Sequence, residues 1–207
     1  MPKTTPDDVL RMIASWATFP KLTESVRRIW NSSSITDTDE FKDLVKSSRE
    51  LYSATMLTLD RLRVVYTRST QDLDNAKSED AVSRARYLFF FNQRIYYMGV
   101  FTSCYLNCLV RAMIPVGERP QLRTEAVGFT KEIISLAYQA MPIRPLGSAF
   151  VPMCLMVAWF TPVDDATRDE ISRLWDEYRT DFPSTNQPSI SDSVEVCGFL
   201  GDEQGLG

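Results

Sequence analysis

From Val9 onward, large apolar residues return every three or four positions, the spacing that lines them up on one face of an α-helix. Val9, Met12, Ile13 and Trp16 mark a first short helix, and Leu22, Val26, Ile29 and Trp30 mark a second after Pro20. Asn31 to Ser34 interrupt the series. A long helix is predicted from Asp37, whose carboxylate can accept from the free amides of the first turn, with Glu40 three residues on as in a capping box. It carries Phe41, Leu44, Ser48, Leu51, Thr55, Leu59, Leu62 and Tyr66, and ends near Asp72. Ser78, followed by Glu79 and Asp80, opens a second long helix over about 79–114, because acids are favourable at the positive end of a helix. Leu88, Phe91, Ile95, Met98, Thr102, Tyr105, Leu109 and Met113 form its main stripe, while Phe89, Phe90, Tyr97, Val100, Phe101 and Leu106 occupy other faces. A helix apolar all round belongs at the centre of a fold.

Pro115, Gly117 and Pro120 close that helix, and Leu122, Ala126, Phe129, Ile133, Leu136 and Ala140 form the next stripe. After the turn Met141 to Gly147, Ser148 is placed to cap a helix bearing Phe150, Met153, Leu155, Val157, Trp159 and Phe160. Thr161-Pro162 stops it, and Asp164 and Asp165 start a last helix marked by Ile171, Leu174, Trp175, Tyr178 and Phe182. No alternating strand pattern competes. The expected fold is all-α: about seven helices, two of them long, in an irregular bundle around the central apolar helix. The expected organisation is an N-terminal helical segment over 1–36, a helical domain over 37–182 and a disordered acidic tail over 183–207.

Charge sharpens that division. The chain of 207 residues has 23 Lys+Arg and 27 Asp+Glu, a net charge of -4. Asp192, Glu195, Asp202 and Glu203 lie in the tail, which has no Lys or Arg, so the preceding residues are formally neutral. Nothing in this balance suggests direct nucleic-acid binding, which needs clustered basic residues. There is no histidine, which removes Ser-His-Asp and Cys-His catalysis, His-based zinc sites and a histidine base near neutral pH. Of the four cysteines, Cys104, Cys108 and Cys154 sit in strongly apolar stretches, as reduced thiols packed in a core do. No metal and no cofactor are expected, and the chain is not expected to be an enzyme, although carboxylates and Arg94 leave other acid–base chemistry open.

Two apolar stretches invite a membrane reading and fail it. Only 16 uncharged residues separate Arg94 from Arg111, and the 19 from Pro145 to Val163 contain three prolines. The N-terminus shows no apolar run behind a basic end, so no secretion signal is expected.

Candidate contact residues come from the apolar helices. Arg94, beside Asn92 and Gln93, is a polar position among aromatic neighbours; it reads either as a solvent-facing or paired arginine or as a ligand contact. Tyr96, Tyr97, Phe101 and Trp159 could together line an apolar pocket, or simply be core. Asn107 reads as a structural hydrogen-bonding group, since a buried amide needs partners.

Two stretches then point to a family. One runs from Asn92-Gln93-Arg94-Ile95-Tyr96-Tyr97 to Leu106-Asn107-Cys108-Leu109-Val110-Arg111-Ala112-Met113. The other is Arg144-Pro145-Leu146-Gly147-Ser148-Ala149-Phe150-Val151-Pro152 and the apolar helix after it. Together with Leu174-Trp175-Asp176-Glu177-Tyr178, they resemble the C-terminal part of the fungal-specific transcription factor domain, the all-helical regulatory half of binuclear zinc cluster regulators. The resemblance spans roughly residues 40–182. It departs from the family in one respect: no cysteine precedes Cys104, so the six-cysteine DNA-binding cluster is not in this chain. The resemblance implies a nuclear, or otherwise cytoplasmic, regulator-like protein that acts through a protein partner or as a homo-oligomer, without direct DNA contact of its own, in control of a secondary-metabolite gene cluster. The alternative is a small-molecule-binding helical module or an accessory protein of a biosynthetic pathway.

Overall fold

The computed structural model describes residues 6–30, 38–145 and 148–181. Among these residues the fold is all-α, with six α-helices: α1 (Pro6–Trp30), α2 (Asp39–Asp74), α3 (Glu79–Met113), α4 (Pro120–Ala140), α5 (Val151–Trp159) and α6 (Asp165–Arg179). Short 3-10 turns at Val116–Glu118 and Met141–Ile143 flank α4. The expected tail over 183–207 and the Asp37 cap lie outside the described residues.

Local chemistry explains most helix ends. Thr38 caps α2, its hydroxyl accepting from the Phe41 amide at 3.3 Å. Ser78 caps α3 in the same way, accepting from Ala81 at 3.3 Å, and Asp164 caps α6, accepting from Thr167 at 2.7 Å. Pro120 occupies the first turn of α4, where its missing N–H costs nothing. Ser148 departs from expectation. The next helix starts only at Val151, and the buried Ser148 hydroxyl turns back to donate to the Pro145 carbonyl at 3.1 Å.

The N-terminal region also differs. Where two helices are expected either side of Pro20, α1 is one helix with Pro20 inside it. Pro20 faces solvent, so the carbonyl deprived of its helical partner can be hydrated. Met12, Leu22 and Val26 hold the helix on the common core from both sides of the proline. This merger leaves six helices where about seven are expected.

α3 is the central helix, in contact with α1, α2, α4 and α5. It runs antiparallel to α2 along most of its length: Phe89 and Tyr96 meet Tyr66, while Gly99 lies against Leu59 and Leu62. Gly99 permits that approach, because a Cβ there would lie 2.9 Å from Leu62 Cδ1 and 3.2 Å from Leu59 Cδ1. α1 covers the other side of α3: Trp16 donates to Thr102 Oγ1 at 2.6 Å, and Phe19 and Phe101 pack around Tyr105. α6 closes the bundle against α5, with the buried Tyr178 hydroxyl donating to the Ala137 carbonyl of α4 at 2.5 Å.

Arg144 ties the polypeptide between α4 and α5 to the end of α6. Arg144 gives Nε and Nη2 to the Asp181 carboxylate at 2.7 and 2.8 Å, reaches Glu177 at 3.1 Å, and lies over the Tyr178 ring. The paired, planar geometry suits a guanidinium and would not suit a lysine. No described helix is long and apolar enough to cross a membrane.

Candidate functional site

The outer face of the first half of α3 exposes a strip of large apolar residues. Residues 84, 87, 88, 91 and 94 follow helical spacing and so share one face. They are Arg84, Tyr87, Leu88, Phe91 and Arg94, all exposed. Tyr87 is 71% exposed, Leu88 47% and Phe91 44%, although each has the size and chemistry of a core residue. An arginine stands at each end of the strip, and neither has a carboxylate partner among the described residues. On the inner side, Phe89 packs on Tyr66 at 5.8 Å and holds the helix to α2. Arg84 and Leu88 also line a cleft of about 440 Å³ with Asp72 and Asp80, between the end of α2 and the start of α3. Exposed aromatics bracketed by arginines match the composition of protein-contact hot spots.

Arg94, singled out in the sequence, belongs to this strip. The other four candidates are dispersed. Tyr96 is buried toward α2 and α4, where it stacks on Tyr66 at 4.7 Å and donates to the Glu132 carboxylate. Tyr97 is buried toward α4 and α5, donating to the Leu136 carbonyl at 2.9 Å and accepting from Gln93 at 3.2 Å. Phe101 is buried beneath α1, edge-on to Trp16 at 5.7 Å. Trp159 is half-buried, with the Arg168 guanidinium over its ring at 5.5 Å. None of the four lines the cleft beside Phe41 and Met113, the cleft between α1 and α2, or the cleft at Leu88.

Sequence reasoning missed a polar ladder between α2 and α4. Glu125, Glu132 and Gln139 recur every seven residues along α4. Tyr52 donates to Glu125 at 2.6 Å, and Tyr66 donates to Gln139 at 2.8 Å. Arg63 grips Glu132 with two parallel bonds at 3.0 and 2.7 Å, beside Tyr96. The seven-residue polar spacing was the available signal. At its deep end the ladder joins Asn107, which is fully buried as expected of a structural amide. Asn107 donates to Tyr52 at 3.1 Å and to the Leu122 carbonyl at 3.0 Å, and accepts from Arg111 Nε at 2.8 Å. The buried Arg111 also donates to the Phe160 carbonyl at 3.2 Å, joining α3 to the end of α5.

The electrostatics of these groups favour structure over proton transfer. Burial pushes the Tyr52 hydroxyl well above its ordinary range, and the hydrogen bond to Glu125 adds to this. Burial and the Glu132 contact do the same for Tyr96. The Arg63 guanidinium is held still more firmly charged by its bonds to Glu132. Burial raises the Cys154 thiol to about 12, and raises Cys104, which also sits beside Cys108. Thiols so protonated are poor nucleophiles. No set of three or more Cys, Asp or Glu positioned to hold a metal occurs among the described residues.

No protein-family model matches this chain. No curated protein and no solved structure matches it either.

Proposed function

We propose that this protein is a protein-contact module of the transcription-regulator type, without a DNA-reading element of its own, and that it binds its partner through the Arg84–Arg94 strip of α3. The observation that carries this reading is the exposed Tyr87, Leu88 and Phe91 face, closed at both ends by arginine. A contact of this composition buries aromatic anchors and offers each guanidinium a carboxylate, so the partner is an apolar helix or strand flanked by acids. The regulatory role, nuclear residence and connection to secondary metabolism come from the resemblance to the fungal regulatory domain. The small-molecule reading has less support, since Tyr96, Tyr97, Phe101 and Trp159 face different neighbours.

A tethering assay tests the reading. Fused to an unrelated DNA-binding domain, the full chain should change transcription of a reporter in a fungal cell. The double variant Tyr87→Ser, Phe91→Ser should abolish that change while keeping the helical circular dichroism of the parent. A fusion without effect, or an effect that survives the double variant, would refute it.

A further inference from the structure

α2 and α3 run antiparallel, so their pair has two ends. The exposed strip lies toward one. At the other, the start of α2 and the end of α3 stand around a hollow of about 630 Å³. That volume is within the range of sites that take small organic molecules. Its deep lining is Phe41, Met113 and Ile114, all buried, with half-buried Val45 beside them and Pro115 at the exposed edge. These side chains offer water almost no hydrogen bonds, so the hollow favours an apolar body.

The rim is ionic. Lys42, Lys46 and Arg49 follow one another at helical spacing along α2, and Glu50 and Glu118 complete the charged lining. Arg49 donates to Glu118 at 2.6 Å, so these two charges are matched, and they tie α2 to the turn after α3. Lys46 is exposed and has no carboxylate partner among the described residues. Three bases against two acids leave the lining with one net positive charge. A dianionic phosphate exceeds that charge and meets Glu50 and Glu118 as like charges, whereas a single carboxylate balances it.

We propose that this hollow binds a small amphipathic monocarboxylate, with its hydrocarbon body against Phe41, Val45, Met113 and Ile114 and its carboxylate on the Lys46 ammonium. A lysine has three donors on a flexible stem, so it can follow the carboxylate of an acid whose body is fixed by apolar packing. The bound acid would brace the start of α2 against the end of α3, as the Arg49–Glu118 pair does beside it. The site lies at the opposite end of α3 from the Arg84–Arg94 strip and shares no residue with it. Either can therefore fail while the other stands.

Decanoate serves as the probe. Isothermal titration calorimetry of the full chain should show saturable binding at one site. Decylammonium, with the same chain and the opposite charge, should bind at least about tenfold more weakly. Lys46→Glu should weaken decanoate at least about tenfold, because it replaces a charge-assisted hydrogen bond with like-charge repulsion. Lys46 is exposed, so this variant should keep the helical circular dichroism of the parent. Val45→Phe, which fills part of the hollow, should weaken decanoate similarly, and Tyr87→Ser with Phe91→Ser should leave it unchanged. Absence of saturable binding would overturn the proposal, as would equal affinity for decylammonium. A Lys46→Glu titration that matches the parent, or binding lost in the strip variant, would overturn it as well.

Discussion

Residues 79–92 of α3 contain no buried side chain, whereas from Gln93 to Met113 only Arg94, Met98 and Tyr105 escape burial. The two halves belong to one unbroken helix, and both are rich in aromatic residues. Their difference lies in what stands beside them. Side chains of α1, α4 and α5 meet this helix at Tyr96 and beyond: Trp16 at Thr102, Glu132 at Tyr96, and Cys154 at the Tyr97 carbonyl. The first half has α2 for company, through Phe89 against Tyr66. The same periodic stripe that is core in one half is therefore exposed surface in the other.

The largest effect should come from breaking the polar centre of the buried half. Asn107→Leu would leave the Tyr52, Arg111 and Leu122 groups to find new partners in a dry interior. A loss of about 3 kcal/mol is expected, because a buried polar group stripped of its partner bears its full desolvation cost. Urea denaturation measures it, and a loss below about 1 kcal/mol would mean that this half is less tightly specified than its burial suggests.

Next comes the helix crossing. Gly99→Val puts branched carbon into the space of Leu62 and Leu59, with Met12 at 3.4 Å from the new Cβ. Those neighbours are side-chain ends that can shift, so a cost of about 1–3 kcal/mol is expected from overpacking. Thermal unfolding of the variant checks it. The exposed half should respond oppositely. Tyr87→Ser with Phe91→Ser should change stability by no more than about 0.5 kcal/mol per site, as surface substitutions do, while abolishing the tethered transcriptional readout. A large fall in melting temperature would show that these rings are packed in solution.

The smallest effect concerns a cap, where neither kind of apolar packing contributes. The Asp164 carboxylate is held below its ordinary range by the Thr167 hydrogen bonds. A depressed folded-state value means that its stabilising contribution is present above the unfolded carboxyl value, about 3.9, and is lost as pH falls through the lower folded value. Asp164→Asn retains an accepting oxygen but no charge. Its melting temperature should therefore match the parent more closely as the medium becomes acidic; a constant gap across that range would contradict the assignment.

Part of the candidate strip was legible. Arg94 stood out as a cation among aromatics, and Leu88 and Phe91 stood out as a helical stripe, but the stripe alone reads as core. Arg84 and Arg94 at its two ends were the sign that this stretch faces water, since an unpaired guanidinium is costly to bury. The opposite lesson comes from Tyr96, Tyr97 and Phe101. They lie close in sequence, yet successive helical positions are about 100° apart and point to different neighbours.

What the sequence determined by itself was local. Helical spacing and end-of-helix chemistry act within about four residues, so the spans of α2, α3, α4 and α6, and the helix starts at Ser78 and at Asp164-Asp165, could be read directly. Tertiary structure decided the rest. It carried α1 through Pro20, because packing on both sides held the helix where the local signal breaks it. It turned Ser148 away from a helix cap toward Pro145 and Asp181. It paired Tyr52, Arg63 and Tyr66 with residues about seventy positions away on α4. Above all, it divided α3 into a core and a surface, since burial depends on which helices reach a face, and no spacing within that face records their length.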